Sequence, residues 1–325
     1  MVHYQDQGEG YVAADKSDLA PYSWTEVILK LVVQITLSIP YHVLDFIRAY
    51  IWCPKKSIKS RVVLVTGGGN GLGRALCIRF AQEGCAVAVV DVDLEGAART
   101  VDEVRKMGMR AEAFQTDVSD VRAVQKLREN IETTLGPVQI LVNNAGLLSF
   151  TYMNEGTDEQ IQRIINVNLA SHFWMIRQFL PGMQQRNEGH IVGISSVLGM
   201  IPNFRTIAYS ATKYGIRGMM GSLSDELFFN GFGDTIFTTC VYPDLVATRK
   251  ELFDSLNDLG VSAQALSPKQ AANFVVDGVL RNKTDIIVAN FPVPLGLKLS
   301  ALVSTRIRRI FTMCIVKNTR KKSGN

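Results

Sequence analysis

Short apolar runs alternate with amphipathic stretches along most of the chain. Arg61–Thr66 (RVVLVT), Ala86–Asp91 (AVAVVD), Ala111–Asp117 (AEAFQTD) and Val138–Gly146 (VQILVNNAG) are bounded by turn residues, the pattern of buried strands. Between them, apolar residues recur at helical spacing up to Glu83, Met107 and Thr134, and Asp285–Ala289 reads as the last strand. Strand–helix alternation at this spacing predicts an α/β fold, a Rossmann-like doubly wound parallel sheet. No repeat or linker divides residues 60–290, so they are expected to form one domain.

The flanks follow different patterns. Residues 1–25 are polar and aperiodic and are expected to be disordered, with no signal-peptide layout. Residues 26–54 are mostly apolar. Lys30, Gln34, Ser38, His42, Asp45 and Arg48 fall on one arc of a helix over Val27–Trp52, leaving a wide apolar face. Lys30 and His42 leave only a short uncharged run between them, against the ~20 residues that span hydrocarbon. Pro40 is expected to kink or break the helix. These features favour an amphipathic anchor in a membrane interface, or a hairpin turning near Pro40; a helix packed on the domain and a single span are the alternatives. Lys55, Lys56, Lys59 and Arg61 follow at once and would hold the domain on the cytosolic side. Residues 291–325 form a basic extension. Leu299, Val303, Ile307, Ile310, Phe311 and Cys314 share an apolar helical face opposite Lys298, Arg306 and Arg309. That face suits an anionic membrane surface or, alternatively, a partner subunit in a homodimer.

Composition narrows the function classes. Of 325 residues, 47% are hydrophobic and 20% charged, which excludes a disordered or low-complexity protein. The five cysteines are scattered, with no CxxC pair or Cys/His cluster, so neither a disulfide scaffold nor a metal site is expected. The net charge of +5 comes from the basic tail, where residues 286–325 hold no acid. The globular part has no nucleic-acid signature.

The candidate chemistry begins at TGGGNGLG (Thr66–Gly73), a glycine-rich turn between a strand and a helix N-terminus. Gly67, Gly71 and Gly73 let the backbone approach a pyrophosphate, which the helix dipole and free N–H groups bind, with Asn70 and Leu72 between them. Asp91, ending the second strand, can accept from both ribose hydroxyls and would repel a 2′-phosphate; no Lys or Arg at 67–73 or 92–93 offsets it. The expected cofactor is NAD rather than NADP.

Four further features complete a recognisable set: NNAG (Asn143–Gly146), Asn168 in NVNL, Ser196 thirteen residues before Tyr209, and YxxxK (Tyr209, Lys213). With the TGxxxGxG loop, in this order, they resemble the classical division of the short-chain dehydrogenase/reductase family over residues 60–290. The flanks look like its membrane-associated 16C branch, which acts on retinoids, 17β-hydroxysteroids and other lipids. The resemblance implies that Asp117 and Val118 flank the adenine. It also implies that Asn144, Ala145 and Gly146 line the cofactor pocket, and that Pro243, Val246 and Thr248 hold the carboxamide side. Where the family usually has Pro-Gly, this chain has Pro243-Asp244.

Tyr209 and Lys213, four apart on a helix, lie on one face. A neighbouring ammonium is expected to lower the phenol pKa, so that Tyr209 exchanges a proton with the substrate oxygen while Ser196 polarises it. Asn168 is expected to hold a water next to Lys213, and Ser195 is the alternative serine. His172 and His190 are expected in packing or surface roles. Leu147–Met153, Val197–Phe204 and the stretch from Asp244 to Ser267 should surround a lipophilic alcohol. The reading is an enzyme at the endoplasmic reticulum membrane or a lipid droplet surface. An NADPH-dependent carbonyl reductase and a coat protein without turnover are the alternatives.

Overall fold

The computed structural model describes residues 23–50, 54–149, 153–248, 265–290 and 293–294. The chain divides into two units, Met1–Cys53 and Pro54–Asn325.

The described part of the first unit is one helix, α1 (Trp24–Tyr50). It runs through Pro40 without interruption, which corrects the expected break and the hairpin. Proline removes only its own N–H and one i→i−4 bond, so the ladder resumes on either side. The nearby hydroxyls turn back onto carbonyls: Thr36 Oγ1 donates to Val32 O at 2.7 Å and Ser38 Oγ to Ile35 O at 2.8 Å. The side chains of Ile28, Leu29, Leu31, Val32, Ile35, Leu37 and Ile39 are all exposed. No helix among the described residues is long and apolar enough to cross a membrane.

The second unit is built on a seven-stranded parallel sheet. Its elements in chain order are β1 (Val62–Thr66), α2 (Gly71–Gln82), β2 (Ala86–Asp91), α3 (Leu94–Lys106), β3 (Ala111–Gln115), α4 (Val121–Thr134) and β4 (Val138–Asn143). There follow α5 (Asp158–Ile165), α6 (Ser171–Arg186), β5 (Gly189–Ile194), α7 (Ile207–Phe229), β6 (Ile236–Pro243), α8 (Pro268–Leu280) and β7 (Asp285–Val288). The strand order is β3-β2-β1-β4-β5-β6-β7, so the winding reverses between β1 and β4. Ligands of such sheets bind beyond the carboxyl ends of the strands at that reversal.

Alternation along each strand makes two cores. Val63, Val65, Val87, Val89 and Val142 face one way, against Leu76 and Phe80 of α2, Val104 of α3 and Val275 of α8. Leu64, Ala88, Leu141 and Ile191 face the other, against Leu127 of α4, Phe179 of α6 and Ile216 of α7. Both faces are covered, which is why these strands read as continuous apolar runs.

A strap ahead of β1 belongs to this domain. Lys56 N donates to Leu280 O at 2.8 Å, Ile58 is buried, and Lys55 pairs with Asp277 at 2.6 Å. Lys56 Nζ meets His190 Nδ1 at 2.7 Å, His190 Nε2 meets Thr239 Oγ1 at 2.7 Å, and Thr239 Oγ1 donates to Lys283 O at 2.6 Å. Thr239 gives its one proton to Lys283 O and must accept from His190, so His190 carries its proton on Nε2 and accepts from Lys56 at Nδ1. Burial pushes the Lys56 pKa down to about 7 and that of His190 well below its ordinary value. Cys77, Cys85 and Cys240 are buried free thiols.

Candidate active site

The glycine turn has the shape its sequence requires. Gly67 sits at φ +64°, in the left-handed region. A Cβ on Gly73 would lie 1.9 Å from the Gly67 carbonyl oxygen, so helix and loop approach more closely than any side chain permits. Thr100 Oγ1 on α3 donates to Gly68 O at 3.0 Å and pins the loop. Asn70 makes no side-chain cap on α2, and the first turn of α2 carries no acid. The helix N-terminus is therefore left positive and open to an anion.

Asp91 stands beside this cradle. Its Oδ2 accepts from Gly69 N at 2.9 Å and its Oδ1 from Asp93 N at 3.0 Å, which fix the carboxylate at the end of β2. Asp117 is exposed and accepts from Ser119 N at 2.9 Å, and Val118 is buried beside it. Thr66 and Asn144 brace the switch point. Thr66 Oγ1 accepts from Asn144 N at 2.9 Å and Ala145 N at 3.0 Å, while Asn144 Nδ2 donates to Thr66 O at 2.9 Å.

At the other end, the Ser196, Tyr209 and Lys213 side chains converge. Ser196 follows β5, accepts from Leu198 N at 3.1 Å and donates to Pro243 O at 3.4 Å. Ser195 points elsewhere: its hydroxyl is buried and donates to Lys213 O at 2.8 Å. Tyr209 and Lys213 stack on α7, with Nζ 5.5 Å from the ring centroid and donating to Ile194 O at 2.8 Å. Asn168 lies in a π-helical turn, Asn166–Ala170, that joins α5 to α6. Its amide clasps the Leu147 backbone, accepting from N at 2.7 Å and donating to O at 2.8 Å.

The ionisation balance differs from the sequence expectation. Burial raises the Tyr209 phenol above its ordinary value, with a hydrogen bond from Ser196 pulling the other way. Lys213 itself is lowered to about 8 by burial. Desolvation of the buried phenol outweighs the Ser196 hydrogen bond, so the chain alone holds Tyr209 as a neutral phenol and potential proton donor. His172 is also buried, with neither ring nitrogen hydrogen-bonded, and burial and Lys213 lower its pKa to about 3.

These two ends belong to one cleft of about 640 Å³. Of the residues expected to hold the cofactor or move the proton, all line it except Thr66 and Asn168, which are buried behind its wall as braces. Of the stretches expected around the substrate, Leu147, Leu148 and Asp244 line it but no residue of Val197–Phe204 does. Val246 bridges to Leu266, and Thr248 closes over Gly71, 3.1 Å from where a Cβ there would sit. Arg163, Val167, Thr116 and Asp244 also line the cleft. Val167 is legible inside NVNL, but no sequence motif marks Arg163. Leu147 and Leu148 line the catalytic end. Phe150, Leu252, Phe253 and the C-terminal amphipathic face lie outside the described residues.

Comparison with known proteins agrees with this geometry. The short chain dehydrogenase family profile matches residues 61–254. Mouse estradiol 17-beta-dehydrogenase 11 is 31% identical over 262 residues, covering 80% of this chain and 86% of that one. Human 17-beta-hydroxysteroid dehydrogenase 13 is 30% identical over 266 residues, covering 82% and 87%. Among solved structures, a short-chain dehydrogenase/reductase from Burkholderia phymatum in complex with NAD superposes with a TM-score of 0.68 at 25% identity, covering 75% of this chain and 94% of that one. A metagenomic short-chain oxidoreductase in complex with NADP gives 0.61 at 26%, covering 72% and 98%. A cleft at the sheet's reversal, a glycine cradle too tight for a side chain and a shared sequence across most of its length place this chain in the short-chain dehydrogenase/reductase family, as an NAD(P)-dependent oxidoreductase of CH–OH groups.

Proposed function

We propose that this protein is an NAD-dependent dehydrogenase of a lipophilic alcohol, working at the surface of the endoplasmic reticulum membrane or a lipid droplet. The observation that carries the reading is the single cleft with Asp91 at one end and Ser196, Tyr209 and Lys213 at the other. Gly67–Gly73 would hold the pyrophosphate, Asp91 the ribose hydroxyls, Asp117 and Val118 the adenine side, and Asn144–Gly146 with Pro243, Val246 and Thr248 the nicotinamide side. The cofactor, when bound, supplies hydride exchange at the nicotinamide.

The chain's own residues handle the proton. Ser196 donates to the substrate oxygen and orients it, and Tyr209 exchanges the proton at that oxygen through its phenol. Lys213, buried next to Tyr209, stabilises the phenolate once formed, and Asn168 holds the Leu147 backbone that walls the site. An uncharged wall of Leu147 and Leu148 beside this pair suits an apolar substrate gripped through one oxygen. Activity assays with retinol, estradiol and long-chain alcohols, each with NAD and with NADP, test the reading. No turnover with any of them would sink it.

Cofactor preference should depend on Asp91. Asp91→Ala removes the ribose acceptor and the charge that repels a 2′-phosphate. Its NAD-to-NADP ratio of kcat/KM is expected to fall about tenfold, because losing one hydrogen bond to a charged group costs ~1.5–3 kcal/mol. An unchanged ratio places the selectivity elsewhere.

The exposed apolar residues of α1 support attachment to a membrane or droplet surface. Deleting residues 1–53 leaves the strap at Lys55–Ile58 intact, and the truncated protein is expected to keep its activity on a short soluble alcohol. It should move into the soluble fraction at high salt, where attraction of the basic tail is screened. Full retention on membranes under those conditions would show that α1 is not the anchor.

A further inference from the structure

β6 ends at Pro243, and the next residue brings a carboxylate to the catalytic end of the cleft. The Asp244 backbone is fixed, with N donating to Val288 O at 3.1 Å. Its neighbour Pro243 accepts from the Ser196 hydroxyl, so Asp244 is one residue from a contact with the proposed catalytic serine. Asp244 is half-buried and lines the cleft together with Ser196 and Tyr209. Its carboxyl accepts from the Leu245 N–H, and burial raises its pKa. No Lys, Arg or His among the described residues forms an ion pair with it. The fixed cations lining the cleft are Lys213, bonded to Ile194 O, and Arg163 on exposed α5.

We propose that Asp244 is a charge-selecting residue, making the cleft hold the oxidised nicotinamide cofactor more tightly than the reduced one. This rests on the reading of the cleft as the NAD site. The two redox forms share the same adenosine, ribose and phosphate groups, so contacts with Gly67–Gly73 and Asp91 cancel in the ratio of their affinities. They differ in one unit of positive charge on the nicotinamide ring. An ionised carboxylate at that end favours the cationic form, and Lys213 at the same end opposes it. Partial burial limits the screening that would erase the effect in water. A glycine at 244 would supply no such charge. During alcohol oxidation the reduced cofactor is the product, and a cleft biased toward the oxidised form is less readily occupied by that product when both are present. The overall equilibrium of the reaction is untouched, because the carboxylate acts only on bound states.

The test uses the full chain and measures equilibrium binding of NAD+, NADH and ADP-ribose above neutral pH, in the wild type and in Asp244→Asn, Asp244→Gly and Asp244→Glu. ADP-ribose lacks the nicotinamide and reports the rest of the site. Asp244→Asn is expected to weaken NAD+ about tenfold relative to NADH while ADP-ribose binding stays unchanged, the scale of one unit charge in a half-buried cleft. Asp244→Gly should match it, and Asp244→Glu should keep most of the wild-type ratio. An NAD+ to NADH ratio that stays the same in both neutral variants overturns the proposal, as does a parallel loss of all three ligands. Failure of the wild type to bind ADP-ribose would instead overturn the reading of the cleft on which it rests. Circular dichroism checks that each variant folds, and Asp244→Gly keeps the test open should Asp244→Asn not.

Discussion

Tyr209→Phe is expected to lower kcat at least a hundredfold while NAD affinity stays within about twofold, since positioned proton transfer contributes typically 10²–10⁴-fold. The change removes one oxygen from a ring that α7 continues to hold, with Lys213 Nζ still bonded to Ile194 O. Nothing in the adenosine half of the cleft moves. The loss should therefore appear in kcat with little change in the dissociation constant of the cofactor. Burial raises the Tyr209 phenol, so it resists ionisation and keeps the proton that the change would remove. Steady-state kinetics with the best alcohol of the screen, alongside a binding titration, provide the measurement. A variant that keeps more than about a tenth of wild-type kcat would remove Tyr209 from the proton-transfer role.

Gly73→Ala is expected to abolish measurable cofactor binding and to lower stability by about 1–3 kcal/mol, as overpacking a rigid site does. The added Cβ would meet the Gly67 carbonyl oxygen at 1.9 Å, the Gly67 carbonyl carbon at 2.7 Å and Asn144 Nδ2 at 2.6 Å. Two of those atoms are backbone, so no rotamer change relieves the clash. Asn144 could swing away only by giving up its bonds to Thr66 O and Gly67 O. Gly218 and Gly221 on α7 make an internal control. A Cβ at either meets nothing within 4 Å, so Ala there should stabilise the helix by about 0.5–1 kcal/mol. Thermal unfolding of the three variants gives the sign of each effect, and calorimetry with NAD gives the binding. Normal NAD affinity in Gly73→Ala would mean that the turn does not cradle the pyrophosphate.

Much of the site was legible because it depends on short segments. The glycine turn, Asp91 and NNAG each sit at the carboxyl end of a strand whose apolar run is plain in the sequence, and parallel winding brings those ends together. Observed strand limits depart from the expected ones by up to three residues, as at Ala111–Gln115 against Ala111–Asp117 and Val138–Asn143 against Val138–Gly146. The choice between Ser195 and Ser196 was open in the sequence apart from a spacing. It is made by the turn after β5, which sends one hydroxyl to Lys213 O and the other toward the cleft.

The sequence by itself determined the parallel sheet, the position of the cleft and most of its cofactor-side lining, because local periodicity and turn chemistry specify elements and their ends. The tertiary structure alone decided which residues touch ligand space and which brace it. Thr66 and Asn168 read like their neighbours in the motifs. Yet Thr66 spends its hydroxyl on the Asn144 and Ala145 backbone, and Asn168 spends its amide on Leu147. It also decided the charge balance. Desolvation is a sum over everything packed around a group, so four-residue spacing could suggest that Lys213 lowers the Tyr209 phenol, but only the packing shows that burial prevails. The buried line from Lys56 through His190 and Thr239 to Lys283 has the same origin. Its members are distant in sequence, and only the sheet and the strap beneath it bring them within hydrogen-bonding reach.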